Sequence, residues 1–557
     1  MSTRSPRFIP HPDSLSNSLN VDELWVTLVR DLEKVQRETM QRPDPKLLLS
    51  AYVGLGGTVM MSRIVASFSD LGPPHDTILR STLSRALSST NIEQMVRTLY
   101  RGLQAAQWYP QIGSKISFLE TPVGIATIIL LYVIESGNNI DSNTGGKKIW
   151  EVCTEILQNG FQVLSKESRG SMTKDDANMD VDADTDDGCE VLYGRAGFLY
   201  ALLRLRASVY RCVPRPHEGT DEKSRKLWNL ISDENLRMAI HSIVERGRVG
   251  AKFFSSETGA SASPPLMWSW HHKRYLGGAH GVAGILHVLL MCPTQLISAY
   301  VAEMLGTIEW LIDLQDKEGN WPSSFGKSRD HENDLVQWCH GAPGLLILFS
   351  TLIRRCHTNP STFSLTPAFA SSLISALHNA EVLVYTRGFL RKGVGLCHGV
   401  SGSVYALLAA SDAVALLQSN PEPPPGQQQQ QQPQTVLQID RHDEFSRAYF
   451  LHAVHLAYLA TGYRALEVQG EMSQPDRPWS LYEGLGGMCC AWAEVYDRLS
   501  TTGRNLAQTQ GRTGANGQVG STEGGGSEST TNLNLNPRLQ WARSRSGMPG
   551  YDDMIVD

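Results

Sequence analysis

Along the chain, stretches that are apolar on every side alternate with stretches that are apolar on one face only. The first kind follows a recurring Gly-x-x-Gly pair: residues 198–203, 285–290, 345–349 and 404–410 carry few polar side chains. Helices of that composition are buried all round. The second kind lies between them. Ile297, Val301, Met304, Ile308 and Leu311 step by 4, 3, 4 and 3 residues, which lays one stripe along one helical face. The pairs are Gly54/Gly57, Gly194/Gly197, Gly281/Gly284, Gly341/Gly344, Gly399/Gly402 and Gly484/Gly487, with a degenerate seventh at Thr121/Gly124. Steps of 67, 73, 87, 60, 58 and 85 residues separate them in chain order, room for two helices and their loops each time. Glycine lets the loop turn tightly and brings backbone close to whatever sits at its mouth. With strand signals almost absent, the pattern predicts an all-α toroid of seven helical hairpins, an inner helix ring wrapped by an outer one.

Several segments fall outside the repeat. Residues 1–46 read as an N-terminal arm and 47–500 as the barrel. Residues 166–188 read as an acidic insert, residues 255–265 as a Ser/Ala/Pro linker and 420–434 as a Pro/Gln-rich loop. The acidic run resembles a calcium loop, but Thr185 stands where the EF-hand needs glycine. From residue 501 onward the Gly/Ser/Asn/Thr-rich composition predicts an unfolded tail.

Composition narrows the class. The apolar fraction is 41% and the charged fraction 19%, ordinary for a globular core. Fifty basic against 56 acidic residues, with no basic stripe, argue against nucleic acid as the main partner. The longest apolar run, residues 123–134, is too short to span a bilayer. Peripheral association with a membrane stays open. Residues 1–20 are polar, so no secretion signal is expected, and Ser2 excludes N-myristoylation. A cytoplasmic location with reduced thiols follows as the expectation, which turns the nine cysteines into candidates for metal or catalysis.

In a toroid the residues just before each glycine pair share one mouth. Those positions read Tyr52-Val53, Glu120, Leu192-Tyr193, Ala279-His280, Cys339-His340, Cys397-His398 and Tyr482-Glu483. Cys339 and Cys397 lie 58 residues apart, one repeat, on neighbouring hairpins. Two thiols with an imidazole make a Cys₂His set that suits zinc, and three protein ligands leave a fourth position open, as in catalytic sites. Spacing alone leaves His280, His340 and His398 as alternatives for the imidazole.

The stretches Tyr193-Gly-Arg-Ala-Gly, Gly277-Gly-Ala-His-Gly-Val-Ala-Gly, Trp338-Cys-His-Gly-Ala-Pro-Gly, Leu396-Cys-His-Gly-Val-Ser-Gly and Ser480-Leu-Tyr-Glu-Gly resemble the lanthionine synthetase C-like family, over about residues 47–500. The resemblance implies a double-layered α/α barrel with zinc on Cys339, Cys397 and His398. It puts His280 in the acid/base position, His340 beside the first cysteine ligand and Glu190 where bacterial cyclases carry Asp. Bacterial relatives close thioether rings by adding a peptide cysteine to dehydroalanine or dehydrobutyrine. The eukaryotic type, which this sequence resembles more closely, binds glutathione and adds it to such residues. Lys392 falls on a glutathione-contacting lysine. An arginine expected in the same role is replaced by Ser473, with Arg477 four residues on as its stand-in.

Implied, then, is a zinc-dependent addition of glutathione to dehydroamino acids in peptides or proteins, with His280, His340 and Glu190 as catalytic candidates. A binding or signalling module without turnover is the alternative. A glycosidase using Glu120 and Glu483 as a carboxyl pair would have no use for the Cys₂His set.

Overall fold

The computed structural model describes residues 6–12, 20–41, 49–68, 76–105, 115–137, 147–170, 188–259, 263–326, 334–417, 442–513 and 548–551. Among the described residues seven helix pairs run outer before inner, with further helices at Thr77–Ala86, Glu222–Leu230, Thr294–Ile297 and Tyr463–Val468 in the connections. The pairs are α1 (Val21–Gln41) and α2 (Leu55–Ala66), α3 (Ser89–Ala105) and α4 (Pro122–Ser136), α5 (Ile149–Gly170) and α6 (Arg195–Cys212), and α7 (Asp233–Thr258) and α8 (Val282–Leu290). The series continues with α9 (Val301–Asp313) and α10 (Ala342–Thr358), α11 (Pro367–Arg387) and α12 (Val400–Leu416), and α13 (His442–Leu459) and α14 (Leu485–Thr513). Among the described residues β pairing is confined to isolated bridges.

The even-numbered helices form the inner ring. Each packs on the next, and α14 packs back on α2, so the ring closes. Their sequences require this: α4 buries every residue from Pro122 to Ile134 and α12 every residue from Val400 to Val414. Outer helices show one apolar face. The stripe of Ile297, Val301, Met304, Ile308 and Leu311 is buried as predicted, although a 3₁₀ turn at Ser298–Tyr300 splits off its first member. No described helix is long and apolar enough to cross a membrane.

A belt of backbone hydrogen bonds ties the seven loops that precede the inner helices. In chain order Ala51 N–H donates to Leu119 O (2.9 Å), Ile116 to Tyr193 (2.9 Å), Val191 to Ala279 (3.1 Å) and Gly278 to Trp338 (3.0 Å). Cys339 then donates to Cys397 (3.3 Å), Cys397 to Tyr482 (2.8 Å), and Tyr482 to Tyr52 of the first loop (3.1 Å). Every link runs in the same sense.

The glycine pair explains how the loops fit. Five inner helices start on a glycine that offers no side-chain cap. Orphan N–H groups there still need acceptors. At four inner helices the first N–H finds a carbonyl seven residues back, Arg195 to Gly188, Val282 to Tyr275, Val400 to Gly393 and Leu485 to Pro478, while Ala342 N–H at the start of α10 goes to Asn320 Oδ1 at 2.9 Å. Folding back that tightly pushes the second glycine onto its own loop. A Cβ on Gly284 would lie 2.0 Å from Gly278 O, and one on Gly402 2.2 Å from Leu396 O. The degenerate copy keeps that second glycine, Gly124. Its first position tolerates Thr121 because the backbone there is extended, and the threonine hydroxyl caps Val123 N–H.

Four boundaries differ from the sequence reading. The N-terminal arm contains α1, which packs on α2, α13 and α14 as a full member of the outer ring. Leu24, Trp25, Leu28, Leu32 and Val35 are all buried on that face. Helix α7 continues into the expected linker, to Thr258, and α5 into the expected acidic insert, to Gly170. Residues 171–187 and the Pro/Gln-rich loop lie outside the described residues. The tail expected to be unfolded begins with α14 still helical to Thr513, and Met548–Tyr551 are buried.

Candidate metal centre

Residues 337–340 make a tight reversal: His340 N–H donates to Gln337 O at 3.1 Å and Gln337 N–H to His340 O at 3.2 Å. Cys339 is thereby held at the tip, one belt link from Cys397. The thiols of Cys339 and Cys397 and an imidazole nitrogen of His398 lie within 4.8 Å of one another, the one such cluster among the described residues. A tetrahedral zinc site has ligand–ligand edges of about 3.3–3.8 Å. Small side-chain rotations reach that spacing, so the set fits zinc. Of the three candidate imidazoles, the structure brings His398 to the thiols.

The two thiols act as a pair. The Cys397 S–H bond to Cys339 holds the Cys339 thiol below its usual value, helped by the charge of Lys392 and by Gln337 Nε2, 3.2 Å from Cys339 Sγ. Burial pushes Cys397 up, and the charge developing on Cys339 adds to that. Tyr52, stacked on Tyr482 at 4.8 Å, shares a side-chain hydrogen bond with Cys397, and burial drives its phenol well above the usual range. Neither Gln337 nor Tyr52 was singled out by motif reading. Their signal was position: Gln337 stands two residues before a ligand, and Tyr52 at a mouth position of its own repeat.

On the next two loops round the mouth, His280 Nδ1 meets Glu190 Oε2 at 2.9 Å. Glu190 is 1% exposed and also accepts Leu192 N–H at 2.7 Å, so its carboxylate is locked against the backbone of its own loop. The imidazole of His280 lies parallel to Trp270, centroids 5.9 Å apart, and Tyr275 spans from His280 (5.9 Å) to His340 (5.5 Å). The loop carrying His280 abuts the first cysteine: a Cβ on Gly277 would lie 2.1 Å from Cys339 O. Glu120 faces the same mouth. Burial raises its carboxyl to about 7, with Glu483 and Glu190 adding repulsion against a hydrogen bond from Ser50.

Lys392 is exposed on a turn closed by Gly393, whose φ is +134°. That turn meets the loop of Ser473: Ser473 N–H donates to Arg391 O at 2.6 Å. Arg477 is exposed as well, and its guanidinium reaches the Asp476 carbonyl at 3.4 Å. The structure thus groups Cys339, Cys397 and His398, pairs Glu190 with His280, and leaves Lys392 and Arg477 exposed, with only the charge of Lys392 felt at Cys339.

Comparison with known proteins agrees with this architecture. Residues 80–420 match the family model described as lanthionine synthetase C-like protein. The chain is 28% identical over 299 residues to a Danio rerio protein named Glutathione S-transferase LANCL1, covering 54% of this chain and 56% of that one. It is 28% identical over 307 residues to an Arabidopsis thaliana protein named LanC-like protein GCL1, covering 55% of this chain and 54% of that one. The aligned stretches therefore span about half the length of these relatives. With the family match running through the loops of Glu190, His280, Cys339 and Cys397, this chain belongs to the lanthionine synthetase C-like family.

Proposed function

We propose that the cluster holds zinc, and that the protein adds a thiol, foremost glutathione, across the Cα=Cβ bond of dehydroalanine or dehydrobutyrine residues in peptides or proteins. The donor set carries the reading: two buried thiols and one imidazole converge on adjoining loops, with no fourth protein ligand among the described residues. Zinc held there supplies a lowered pKa for an incoming thiol, so that the nucleophile is a thiolate near neutral pH.

The remaining chemistry falls to the chain's own residues. As the thiolate sulfur bonds to the β-carbon, the alkene electron pair moves onto the α-carbon and its carbonyl. A proton must then reach the α-carbon. Glu190 engages Nδ1 of His280 and leaves Nε2 as the atom that exchanges a proton with substrate, an arrangement suited to general acid catalysis. His340 shares the wall formed by Tyr275 and is the second proton-transfer group in this reading. Lys392 and Arg477, both exposed, offer positive charge to the carboxylates of glutathione, and the similarity to a protein named as a glutathione S-transferase points to the same co-substrate.

One observation favours a second reading. Ser473 stands where the family resemblance calls for an arginine, a change that would weaken a glutathione site and suits a binding module without turnover. Two measurements on purified full-length protein decide: metal content by elemental analysis, and the glutathione adduct of a dehydroalanine peptide by mass. We expect about one zinc per chain and adduct formation above the uncatalysed rate. Glutathione binding with no such acceleration would leave the module reading standing and the enzyme reading refuted.

A further inference from the structure

The C-terminal residues Met548-Pro549-Gly550-Tyr551 form a β-turn far along the chain from any repeat. Tyr551 N–H returns to Met548 O at 3.0 Å, and Gly550 has φ +78°. Proline followed by a left-handed glycine is the sequence of a type II turn, so the four residues encode their own shape. They are packed inside the protein: Met548 is 4% and Tyr551 1% exposed.

What the turn touches is specific. Gly550 O accepts the Trp338 indole N–H at 3.1 Å, and Trp338 immediately precedes Cys339. The Tyr551 hydroxyl donates to Leu396 O, and Leu396 immediately precedes Cys397. Pro549 O accepts the Tyr482 hydroxyl at 2.6 Å, and Tyr482 O is the acceptor for Cys397 N–H. The Tyr551 ring stacks on Trp338 at 5.5 Å and meets Tyr405 of α12 at 5.6 Å. Its hydroxyl fills the space left by Gly402, where a Cβ would lie 2.9 Å away. Gly550 itself admits no side chain, since a Cβ would come within 2.4 Å of the Trp338 ring.

We infer that this C-terminal turn is a positioning element of the metal centre, bracing from behind the three loops that carry or support Cys339 and Cys397. The inference rests on the metal-centre reading above. A thiolate ligand gains affinity when its backbone is fixed before the metal arrives, and loss of such outer partners costs about 10- to 100-fold in metal affinity. Tyr551 is therefore a positioning residue; it reaches the site through Leu396, Trp338 and Tyr482.

The test uses full-length protein carrying Tyr551→Ala or Tyr551→Phe. Phe keeps the ring against Trp338 and Tyr405 and removes only the bond to Leu396 O. Zinc release to a chromophoric chelator and the cobalt(II)–thiolate absorption of the substituted protein are read alongside the thermal midpoint. We expect zinc release about 10- to 100-fold faster in Tyr551→Ala, a smaller acceleration in Tyr551→Phe, and an altered cobalt spectrum in the alanine variant. Wild-type zinc release and a wild-type cobalt spectrum in Tyr551→Ala, whatever its melting temperature, would show that the turn only fills space and would overturn the inference. Wild-type protein that takes up no zinc would overturn the metal centre and the inference with it, and that failure is visible before any variant is made.

Discussion

The two arcs of the mouth are built from the same loop and do opposite things. On the loops before α10 and α12, soft donors are withdrawn from water: Cys339 is 7% and Cys397 4% exposed, and each is clamped by belt links and by neighbouring side chains. On the loops before α6 and α8, a buried carboxylate holds an imidazole whose side chain is 23% exposed. Only one partner of that pair is hidden. Burial suits a group that must hold a metal, and partial exposure suits one that must exchange a proton with something entering from outside. The backbone belt carries the architecture, which frees the side chain at each mouth position to take on its own chemistry.

Removing a thiol should break the first arc outright. Cys397→Ala or Cys339→Ala should drop zinc from about one per chain to trace level and abolish addition, while far-UV helicity persists. Full occupancy in either variant, by elemental analysis, would strike that cysteine from the site. Disabling the second arc should cost less and leave the first intact. His280→Ala should keep its zinc yet add glutathione roughly 10²- to 10⁴-fold more slowly, the usual share of a positioned general acid. Should that variant lose zinc instead, His280 is a ligand and the division between the arcs is wrong.

A step further from the chemistry, Glu190→Gln should slow addition by about 10- to 100-fold with zinc retained, because it loosens the ring that His280 presents. An unchanged rate would mean that the carboxylate serves only its own loop. The smallest effect concerns stability. Glu120 has its carboxyl raised by burial from an ordinary 4.5 to about 7, so the folded state holds that proton more tightly than the unfolded chain does. The stability this contributes is complete below about pH 4.5 and is lost as pH rises through about 7. Glu120→Gln should flatten that slope and melt about one to three degrees above wild type at pH 8. Parallel melting curves for the two proteins across pH 4 to 8 would refute it.

Much of the ring was legible because each hairpin repeats a steric demand. A second glycine seven times over, followed by apolar helix, has one economical reading. The clustering of Cys339, Cys397 and His398 was legible for the same reason, since Cys-His falls at one phase of two successive repeats. What spacing could not supply was the choice among His280, His340 and His398, which depends on loop geometry. The outer helix α1 has its stripe of Leu24, Leu28, Leu32 and Val35 written plainly, but its partners α13 and α14 lie more than 400 residues away. Tyr551 was hidden differently. Four turn-forming residues in a long Gly/Ser/Asn-rich stretch hardly alter its composition, and composition was the signal read there. The raised carboxyl of Glu120 comes from burial and neighbouring charge, and neither is a property of the motif around it.

The hydrogen-bond belt has a further consequence for how this protein can vary. An open solenoid adds or drops a repeat at its end and pays one interface. Here the last loop donates to the first, Tyr482 to Tyr52, so there is no end at which to add. An eighth hairpin would have to spread the seven junctions, and a ring of six hairpins would have to close them further. Variation is pushed instead into the connections between hairpins, where the steps already range from 58 to 87 residues. Closure also sets an order in synthesis. Cys339 and Cys397 leave the ribosome before Tyr482 exists, so Cys397 acquires its backbone acceptor only when the final hairpin docks against the first. A chain stalled before that point would carry both thiols without the frame that makes them a site.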